Sequence, residues 1–144
     1  MYDVIVVGAG IIGASTGYYL AKKGLKVVII EKAHPASGAS GACNGGLSYF
    51  GKKGKILQAA HESLKMYRDL PKELDYSLQI CQDEILIQLA FTEKEASQLE
   101  KSVEECVSNG LHAQMITKKQ LYTLVPELSG KPIGAAIAQG NLHG

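Results

Sequence analysis

Three glycines near the start of the chain have the spacing of a phosphate-binding turn. Gly8, Gly10 and Gly13 form the pattern G-x-G-x-x-G. The first glycine permits a tight turn, the second lets an anionic ligand reach the backbone, and the third lets the following helix lie close to a strand. Unpaired N–H groups at the start of that helix would hold the anion, aided by the helix dipole. The pattern therefore predicts a site for a phosphate-bearing ligand.

An acidic residue follows at the distance that a dinucleotide site requires. Glu31 comes directly after the next hydrophobic run, where a carboxylate can accept hydrogen bonds from ribose hydroxyls. The same negative charge would repel a ribose 2′-phosphate, which disfavours NADP. The glycines and Glu31 together favour a dinucleotide ligand. The alternative is an ordinary glycine-rich turn with a merely solvated Glu31.

The segments around these residues are predicted to form a strand, a helix and a second strand. Residues 3–7 are a short β-branched run, typical of a strand buried on both faces of a parallel sheet. Residues 11–23 have helical periodicity, and Gly24 follows as the expected end of the helix. Residues 25–30 are the second strand. Three such elements in about thirty residues have the size of a βαβ unit, the start of a Rossmann-type fold.

The remainder of the chain does not repeat this unit. Residues 32–46 are rich in Ala, Gly, Ser and Asn, and are predicted to be either a loop or a helix too small-sided for a core. Two capping boxes, Thr92 with Glu95 and Thr117 with Gln120, predict helix starts. The further predicted elements are a helix at 56–70 that Pro71 interrupts, two short strands within 78–90 around a turn at Gln82 and Asp83, helices from Thr92 to Gly110 and from Thr117 to Pro126, and a strand at 133–138.

Composition and charge narrow the class of protein. The chain has 15 basic and 14 acidic residues, a net charge of +1, which gives no reason to expect nucleic acid or an anionic membrane as a partner. No apolar stretch approaches the roughly 18 residues of a transmembrane segment. Met1 is followed almost at once by the first strand, which leaves no room for a signal peptide. Cys43, Cys81 and Cys106 are odd in number and widely spaced, so we expect a cytoplasmic protein without a disulfide framework or a metal site.

The segment after Glu31 bears on which dinucleotide is bound. Residues 36–47 read A-S-G-A-S-G-A-C-N-G-G-L and are nearly free of bulky side chains. An NAD-binding unit would be expected to continue directly into further βα elements. A small-residue stretch can instead lie against a flat, extended ligand. This segment favours FAD, without excluding NAD.

At this point the chain resembles the FAD-dependent D-amino-acid oxidase superfamily, especially its glycine oxidase, sarcosine oxidase and amino-acid dehydrogenase branches. The resemblance runs over essentially the whole chain. It rests on V-I-V-V-G-A-G-I-I-G, Y-Y-L-A, S-G-A-S-G-A-C-N-G-G-L, H-E-S-L-K-M-Y, E-I-L-I-Q-L-A-F-T-E-K-E, L-V-P-E-L and I-G-A-A-I-A. The first and third of these stretches are specific to flavin binding, whereas the later ones say little about the substrate.

The resemblance implies a role for each residue of the site. The pyrophosphate would be held by Gly8, Gly10, Ile11, Ile12 and Gly13. Glu31 would bind the adenosine ribose and Lys32 would lie beside the adenine. The phosphates would be approached by Ala39 and Ser40, and the isoalloxazine ring by Asn44, Gly45, Gly46 and Leu47. Some relatives attach the flavin through a His in this segment. Here Cys43 stands in that place, either as a small packing residue with non-covalent FAD or as a thioether link.

The resemblance also implies a reaction and a larger protein. The reaction would transfer hydride from the Cα of an amino acid or amine to the flavin, and the resulting imine would hydrolyse. Similar sequences continue beyond this length, and their later part completes the flavin site and binds the substrate carboxylate. We therefore expect this chain to be an incomplete and inactive part of such an enzyme, in a possible homo- or hetero-oligomer. The alternatives are part of an NAD-dependent dehydrogenase and a non-catalytic nucleotide-binding subunit.

The expected fold class is α/β, with a Rossmann-type FAD-binding βαβ start followed by an α+β segment of a second, substrate-binding domain. The domain pair is expected to be incomplete. Residues 1–77 would form the FAD-binding portion with its glycine-rich loop and following helix. Residues 78–144 would begin the mixed α+β substrate domain.

Overall fold

In a computed structural model, which describes residues 1–143, the chain forms two compact units. The first unit is Met1–Asn44, and the second begins at Gly45. The predicted boundary at residue 77 concerns the domains of a whole enzyme and stays a prediction. The units of this chain divide earlier, because the long helix after residue 53 contributes Leu57 and Leu64 to the core of the second unit.

The first unit is the predicted βαβ element with a small-residue loop. Its elements are β1 (Val4–Val7), α1 (Ile11–Lys22), β2 (Val27–Ile30) and the four-residue helix α2 (Ala39–Ala42). Strands β1 and β2 are parallel, with Val4 opposite Val27 and Val7 opposite Ile30. Helix α1 ends where predicted, since Gly24 follows it with φ of 87°. This confirms the Rossmann-type start.

Close packing in the first unit depends on a glycine within α1. Gly17 is buried, and a Cβ atom added to it would lie 2.8 Å from Cδ1 of Ile29 and 3.8 Å from Cγ1 of Val27. The helix therefore lies on the face of the strand pair that carries Val27 and Ile29. The opposite face is uncovered among the described residues of this unit. There Ile5 is 62% exposed, Val7 84% and Ile30 52%.

The second unit is a four-stranded antiparallel sheet with helices. Its elements are β3 (Gly46–Leu47), α3 (Gly54–Leu74), β4 (Cys81–Ala90), α4 (Glu93–Ser108), β5 (Ala113–Ile116), α5 (Lys118–Leu124) and β6 (Gly134–His143). Strand β6 is central, with β4 along one edge. Its other edge pairs with β5 near the start and with β3 near the end. Together with the βαβ start, this gives the mixed α/β class that the sequence predicts.

Two apolar clusters hold the second unit together. The larger cluster contains Leu57 and Leu64 of α3, Leu99 and Cys106 of α4, and Ala136, Ala138 and Leu142 of β6. The smaller one contains Leu121 of α5 with Ile116, Ala135 and Ile137. Because side chains alternate along a strand, Ala136 and Ala138 point into the larger cluster, and Ala135 and Ile137 into the smaller. Strand β6 is therefore covered on both faces.

Both predicted capping boxes are present and start their helices. Thr92 Oγ1 accepts from the Glu95 amide at 3.2 Å, and Glu95 Oε2 accepts from the Thr92 amide at 3.0 Å. Thr117 and Gln120 form the same reciprocal pair at the start of α5. Each box satisfies amides that have no partner inside the helix.

The prediction of two strands within residues 78–90 was wrong. The structure has one strand, β4, which pairs with β6 from Cys81 opposite His143 to Ala90 opposite Gly134. The register shifts on both sides of Glu84, and Asp83 has φ of 59°. The polar residues that suggested a turn lie in a bulged part of a continuous strand. A bulge tolerates a left-handed residue without ending the pairing.

The predicted end of the helix at Leu70 was also wrong. Helix α3 continues through Pro71 to Leu74. Proline removes one helical N–H bond, and near the end of a long, core-anchored helix that loss does not break the helix. The helix ends instead at Asp75, which has φ of 49°. Strand β5 was missed altogether, because A-Q-M-I is short and has no strong β signal.

A buried tyrosine fills the gap between β3 and β5 along the edge of β6. The Tyr49 hydroxyl lies 2.6 Å from the Gln139 carbonyl oxygen and 3.0 Å from the His112 carbonyl oxygen. Burial raises the pKa of the Tyr49 phenol, so the group stays protonated and donates. The Gln139 amide still donates to the His112 carbonyl at 3.0 Å, so the Tyr49 hydroxyl supplies the donor for the Gln139 carbonyl just beyond the ladder of β5 and β6.

Replacing Tyr49 with Phe should lower the free energy of unfolding by about 0.5–1.5 kcal/mol, because the part-buried hydrogen bond to the Gln139 carbonyl is lost. Urea unfolding followed by circular dichroism measures this change. Tyr2→Phe is the matched control, since Tyr2 is exposed and the same substitution there should cost less than about 0.5 kcal/mol. Equal stability of the two variants would contradict the role assigned to the Tyr49 hydroxyl.

Candidate dinucleotide-binding site

The glycine turn joins β1 to α1 in the conformation that its sequence predicts. Gly8 has φ of 98°, in the region that favours glycine, and its amide donates to the Ile30 carbonyl at 2.7 Å. A Cβ atom on Gly13 would overlap the Gly8 carbonyl oxygen and lie 3.4 Å from Cγ1 of Val6. The close approach of helix to strand therefore requires glycine at position 13.

The start of α1 leaves backbone amides available to an anion. Gly10 is the N-cap residue of the helix and has no side chain with which to cap it. Among residues 1–143, the Ile12 and Gly13 amides donate to no acceptor. The Ile11 amide donates to Oγ of Ser40 at 2.9 Å. Ser40 thus lies at the helix terminus to which the sequence assigned the phosphates.

The Glu31 carboxylate is bonded to the glycine turn itself. Its Oε2 accepts from the Ala9 amide at 2.8 Å, and its Oε1 accepts from the Ala33 amide at 3.1 Å. The Ala9 amide, followed by the Ala33 amide, holds the pKa of Glu31 below its usual range. The group is therefore an anion at neutral pH. A carboxylate has about four acceptor positions, so it can still bind ribose hydroxyls.

The small-residue segment lies along the glycine turn. The Ala36 amide donates to the Ala9 carbonyl at 3.0 Å. A Cβ atom added to Gly10 would lie 3.0 Å from Oγ of Ser40, and one added to Gly41 would overlap the Ala36 carbonyl oxygen. The sequence left open whether residues 32–46 form a loop or a helix. The structure has both, since α2 is one turn of helix inside a loop. Backbones approach too closely here for larger side chains.

The predicted site residues do not all lie in one unit. The first unit contains Gly8, Gly10, Ile11, Ile12, Gly13, Glu31, Lys32, Ala39, Ser40 and Asn44. The second contains Gly45, Gly46 and Leu47, where Gly46 and Leu47 form β3 and pair with His143 and Leu142. The structure brings together the glycine turn, Glu31 and Ser40. The roles of Lys32, Ala39 and residues 44–47 toward a flavin stay predictions.

Three backbone groups of this site were missed by the sequence analysis. They are the amides of Ala9, Ala33 and Ala36. An alanine gives no side-chain signal, and its amide acquires a partner only when the loop folds back. Position 9 lies inside the glycine motif, which is the only hint that the sequence offers.

The residues of the first unit fit a diphosphate ligand with an attached ribose. Two amides at a helix start, a turn with glycine at positions 8 and 10 and a nearby carboxylate are the groups that such a ligand requires. No group of three or more His, Cys, Asp or Glu residues within residues 1–143 has the arrangement of a metal site. None of the helices in that range combines the length and apolar character needed to cross a membrane.

His61 lies in the second unit, where its ring packs against that of Tyr49. Its ring meets the Tyr49 ring edge-to-face at 6.2 Å, and its buried Nδ1 has no hydrogen-bond partner among the described residues. Burial, followed by the charge of Lys65, lowers the pKa of His61. The ring is therefore neutral at pH 7. Burial disfavours the charged form of the imidazole more than it disfavours the neutral form with one unbonded nitrogen.

Comparison with known proteins identifies the class to which this βαβ site belongs. The family model described as FAD dependent oxidoreductase matches residues 3–143. A glycine oxidase from Geobacillus kaustophilus (strain HTA426) is 34% identical over 142 residues, which are 94% of this chain and 38% of the relative. The crystal structure of glycine oxidase from Geobacillus kaustophilus matches with a TM-score of 0.87 at 33% identity. The match covers 99% of this chain and 40% of the glycine oxidase chain.

Two further relatives show the breadth of the match. Sarcosine oxidase subunit beta from Arthrobacter sp is 33% identical over 129 residues, which are 87% of this chain and 31% of the relative. Glycerol 3-phosphate dehydrogenase from Caloramator mitchellensis is 27% identical over 147 residues, which are 96% of this chain and 29% of the relative. The chain thus spans less than two fifths of the length of these relatives.

The chain belongs to the FAD dependent oxidoreductase family. It is similar to glycine and sarcosine oxidases, which confirms the predicted superfamily. The family uses FAD, which decides between the two dinucleotides that the sequence left open.

Gly13→Ala should destabilise the first unit by about 1–3 kcal/mol, because the new methyl group would overlap a backbone carbonyl that cannot rotate away. Thermal unfolding measures the loss. Gly38→Ala is the matched control in the same unit, since a Cβ at Gly38 has open space and the backbone there does not have positive φ. An unaltered melting temperature for Gly13→Ala would argue against the close packing of α1.

Proposed function

We propose that the first unit binds the ADP half of FAD, and that the whole protein oxidises the Cα–N bond of an amino acid or a secondary amine. One observation carries the proposal. An uncapped helix start with two unengaged amides lies beside the Glu31 carboxylate, in a chain of the FAD dependent oxidoreductase family.

The binding roles follow from the chemistry of each group. The pyrophosphate would accept hydrogen bonds from the Ile12 and Gly13 amides, and Gly8 and Gly10 add no side chain to the turn beside them. Glu31 would accept hydrogen bonds from the ribose hydroxyls, and Lys32 would lie beside the adenine. Ser40 and Ala39 would border the phosphates, while Asn44, Gly45, Gly46 and Leu47 would extend toward the isoalloxazine ring.

The proposed reaction rests on the glycine and sarcosine oxidases to which the chain is similar. When bound, FAD would supply the two-electron acceptor. The substrate amine would become an imine and hydrolyse to a carbonyl compound and ammonia or an amine. No described side chain is nominated as an acid or base. The glycerol 3-phosphate relative supports a second candidate, oxidation of an alcohol, at lower identity.

FAD should bind the chain, and Gly10→Val should abolish that binding by adding a side chain to the turn. Fluorescence of added FAD during a protein titration measures it, with NADP⁺ as a ligand that should not compete. Ala21→Val is the matched variant, because it adds a similar side chain at an exposed position of the same unit. Undiminished FAD binding by Gly10→Val would refute the assignment of the site.

The 144-residue chain alone should reduce no dye with glycine, sarcosine, proline or a D-amino acid, because it covers under two fifths of its relatives. Turnover should require a chain of the relatives' full length or a partner chain. In that form, dye reduction with an amine and release of ammonia or amine would support the proposal. Reduction with glycerol 3-phosphate alone would favour the second candidate. Full-rate turnover by the isolated chain would contradict the expected incompleteness.

A further inference from the structure

Glu31 makes two backbone contacts that ribose binding does not require. Its two carboxylate oxygens accept from different amides, Ala9 on the glycine turn and Ala33 on the following loop. Ala9 and Glu31 are 22 residues apart in sequence. The side chain therefore joins the turn after β1 to the segment after β2.

The glycine turn is held largely by the segment of residues 30–40. The contacts are Gly8 N–H to the Ile30 carbonyl at 2.7 Å, Ala9 N–H to Glu31, Ala36 N–H to the Ala9 carbonyl at 3.0 Å, and Ile11 N–H to Ser40 Oγ at 2.9 Å. The bond from Ala9 is the one among these whose acceptor is a charged side chain. Charge-assisted hydrogen bonds are roughly twice as strong as neutral ones.

We propose that Glu31 is a positioning residue for the phosphate-binding turn, independently of any contact with ribose. Its hydrogen bond to Ala9 sets the orientation of the peptides between Gly8 and Ile11. The Ile12 and Gly13 amides then face the anion site before the ligand arrives. The proposal rests on the proposed function only in taking a diphosphate as the ligand.

The protonation state of Glu31 supports this role. The Ala9 amide, and then the Ala33 amide, lower the pKa of the carboxyl group. A lowered folded-state pKa means that the stabilising contact is complete above the usual carboxyl range. It is lost as pH falls through the folded-state value. At neutral pH both hydrogen bonds are therefore present.

A cycle of two proteins and two ligands separates the two roles. Calorimetry would measure ADP and 2′,3′-dideoxy-ADP binding to the 144-residue chain and to Glu31→Gln. Dideoxy-ADP lacks the hydroxyls that Glu31 would bind, so a ribose-only role predicts equal affinity for both proteins. The positioning role predicts that Glu31→Gln weakens dideoxy-ADP binding by about threefold to tenfold. Equal dideoxy-ADP affinities would overturn the proposal.

Amide hydrogen exchange of the ligand-free chain tests the contact without any nucleotide. In Glu31→Gln, exchange at Ala9 should accelerate, because a neutral carboxamide oxygen is a weaker acceptor than a carboxylate and only one end of the carboxamide can accept. Exchange at Leu99, in the core of the second unit, should not change. Unchanged exchange at Ala9 would overturn the proposal even if nucleotide affinity fell.

Asp3→Asn is the matched control. Asp3 Oδ2 accepts from the Lys26 amide at 2.8 Å, a second carboxylate contact in the same unit that does not involve the glycine turn. This variant should leave Ala9 exchange and both nucleotide affinities unchanged. If Asp3→Asn reduced Ala9 protection and nucleotide affinity as much as Glu31→Gln does, the effect of Glu31→Gln would be general destabilisation. That result would overturn the proposal. If the wild-type chain binds no ADP, the proposed function fails, and the exchange data still decide the role of Glu31.

If Glu31→Gln does not fold, Glu31→Asp replaces it. Aspartate keeps the charge but is one methylene shorter, so it cannot reach both amides. The expected result is faster exchange at Ala9 or Ala33 and weaker dideoxy-ADP binding. Wild-type exchange and affinity in that variant would overturn the proposal.

Discussion

The amides at the start of an α-helix have no acceptor inside the helix, and the first unit is built around that constraint. Four amides are unpaired at such a terminus unless a side chain, water or a ligand accepts from them. Gly10 offers no side chain, and the acceptor for Ile11 comes from Ser40, 29 residues later. The Ile12 and Gly13 amides stay available. A glycine at the cap therefore makes the helix start a place for a ligand, at some cost to the helix itself.

The same constraint explains the small residues that follow β2. The loop must return to the glycine turn so that Ser40 and Ala36 can satisfy its polar groups. Backbones that approach so closely exclude larger side chains, since even a Cβ atom at Gly41 would overlap the Ala36 carbonyl oxygen. Glu31 contributes the charged contact of this arrangement. The glycine turn, the acidic residue and the small-residue loop thus form one structural unit rather than three separate motifs.

The second unit is organised by one strand with partners on both edges and both faces. Strand β6 pairs with β3, β4 and β5, and its residues alternate between two apolar clusters. Just beyond the ladder of β5 and β6, the Tyr49 hydroxyl donates to the Gln139 carbonyl. In the first unit, by contrast, one face of the parallel strand pair is uncovered, and Ile5, Val7 and Ile30 are exposed there. Parallel strands are ordinarily covered on both faces.

The sequence by itself determined the local features of this protein. Steric demands at Gly8, Gly13 and Gly24, the capping boxes at Thr92 and Thr117 and the apolar runs of β1 and β2 act over a few residues, so they were predictable. The family followed from motifs of the same short range. Only the tertiary structure decided that residues 81–90 form one bulged strand and that A-Q-M-I pairs with β6. It also decided that Glu31 bonds Ala9. Those outcomes depend on partners that are distant in the sequence, whose arrival no local pattern encodes.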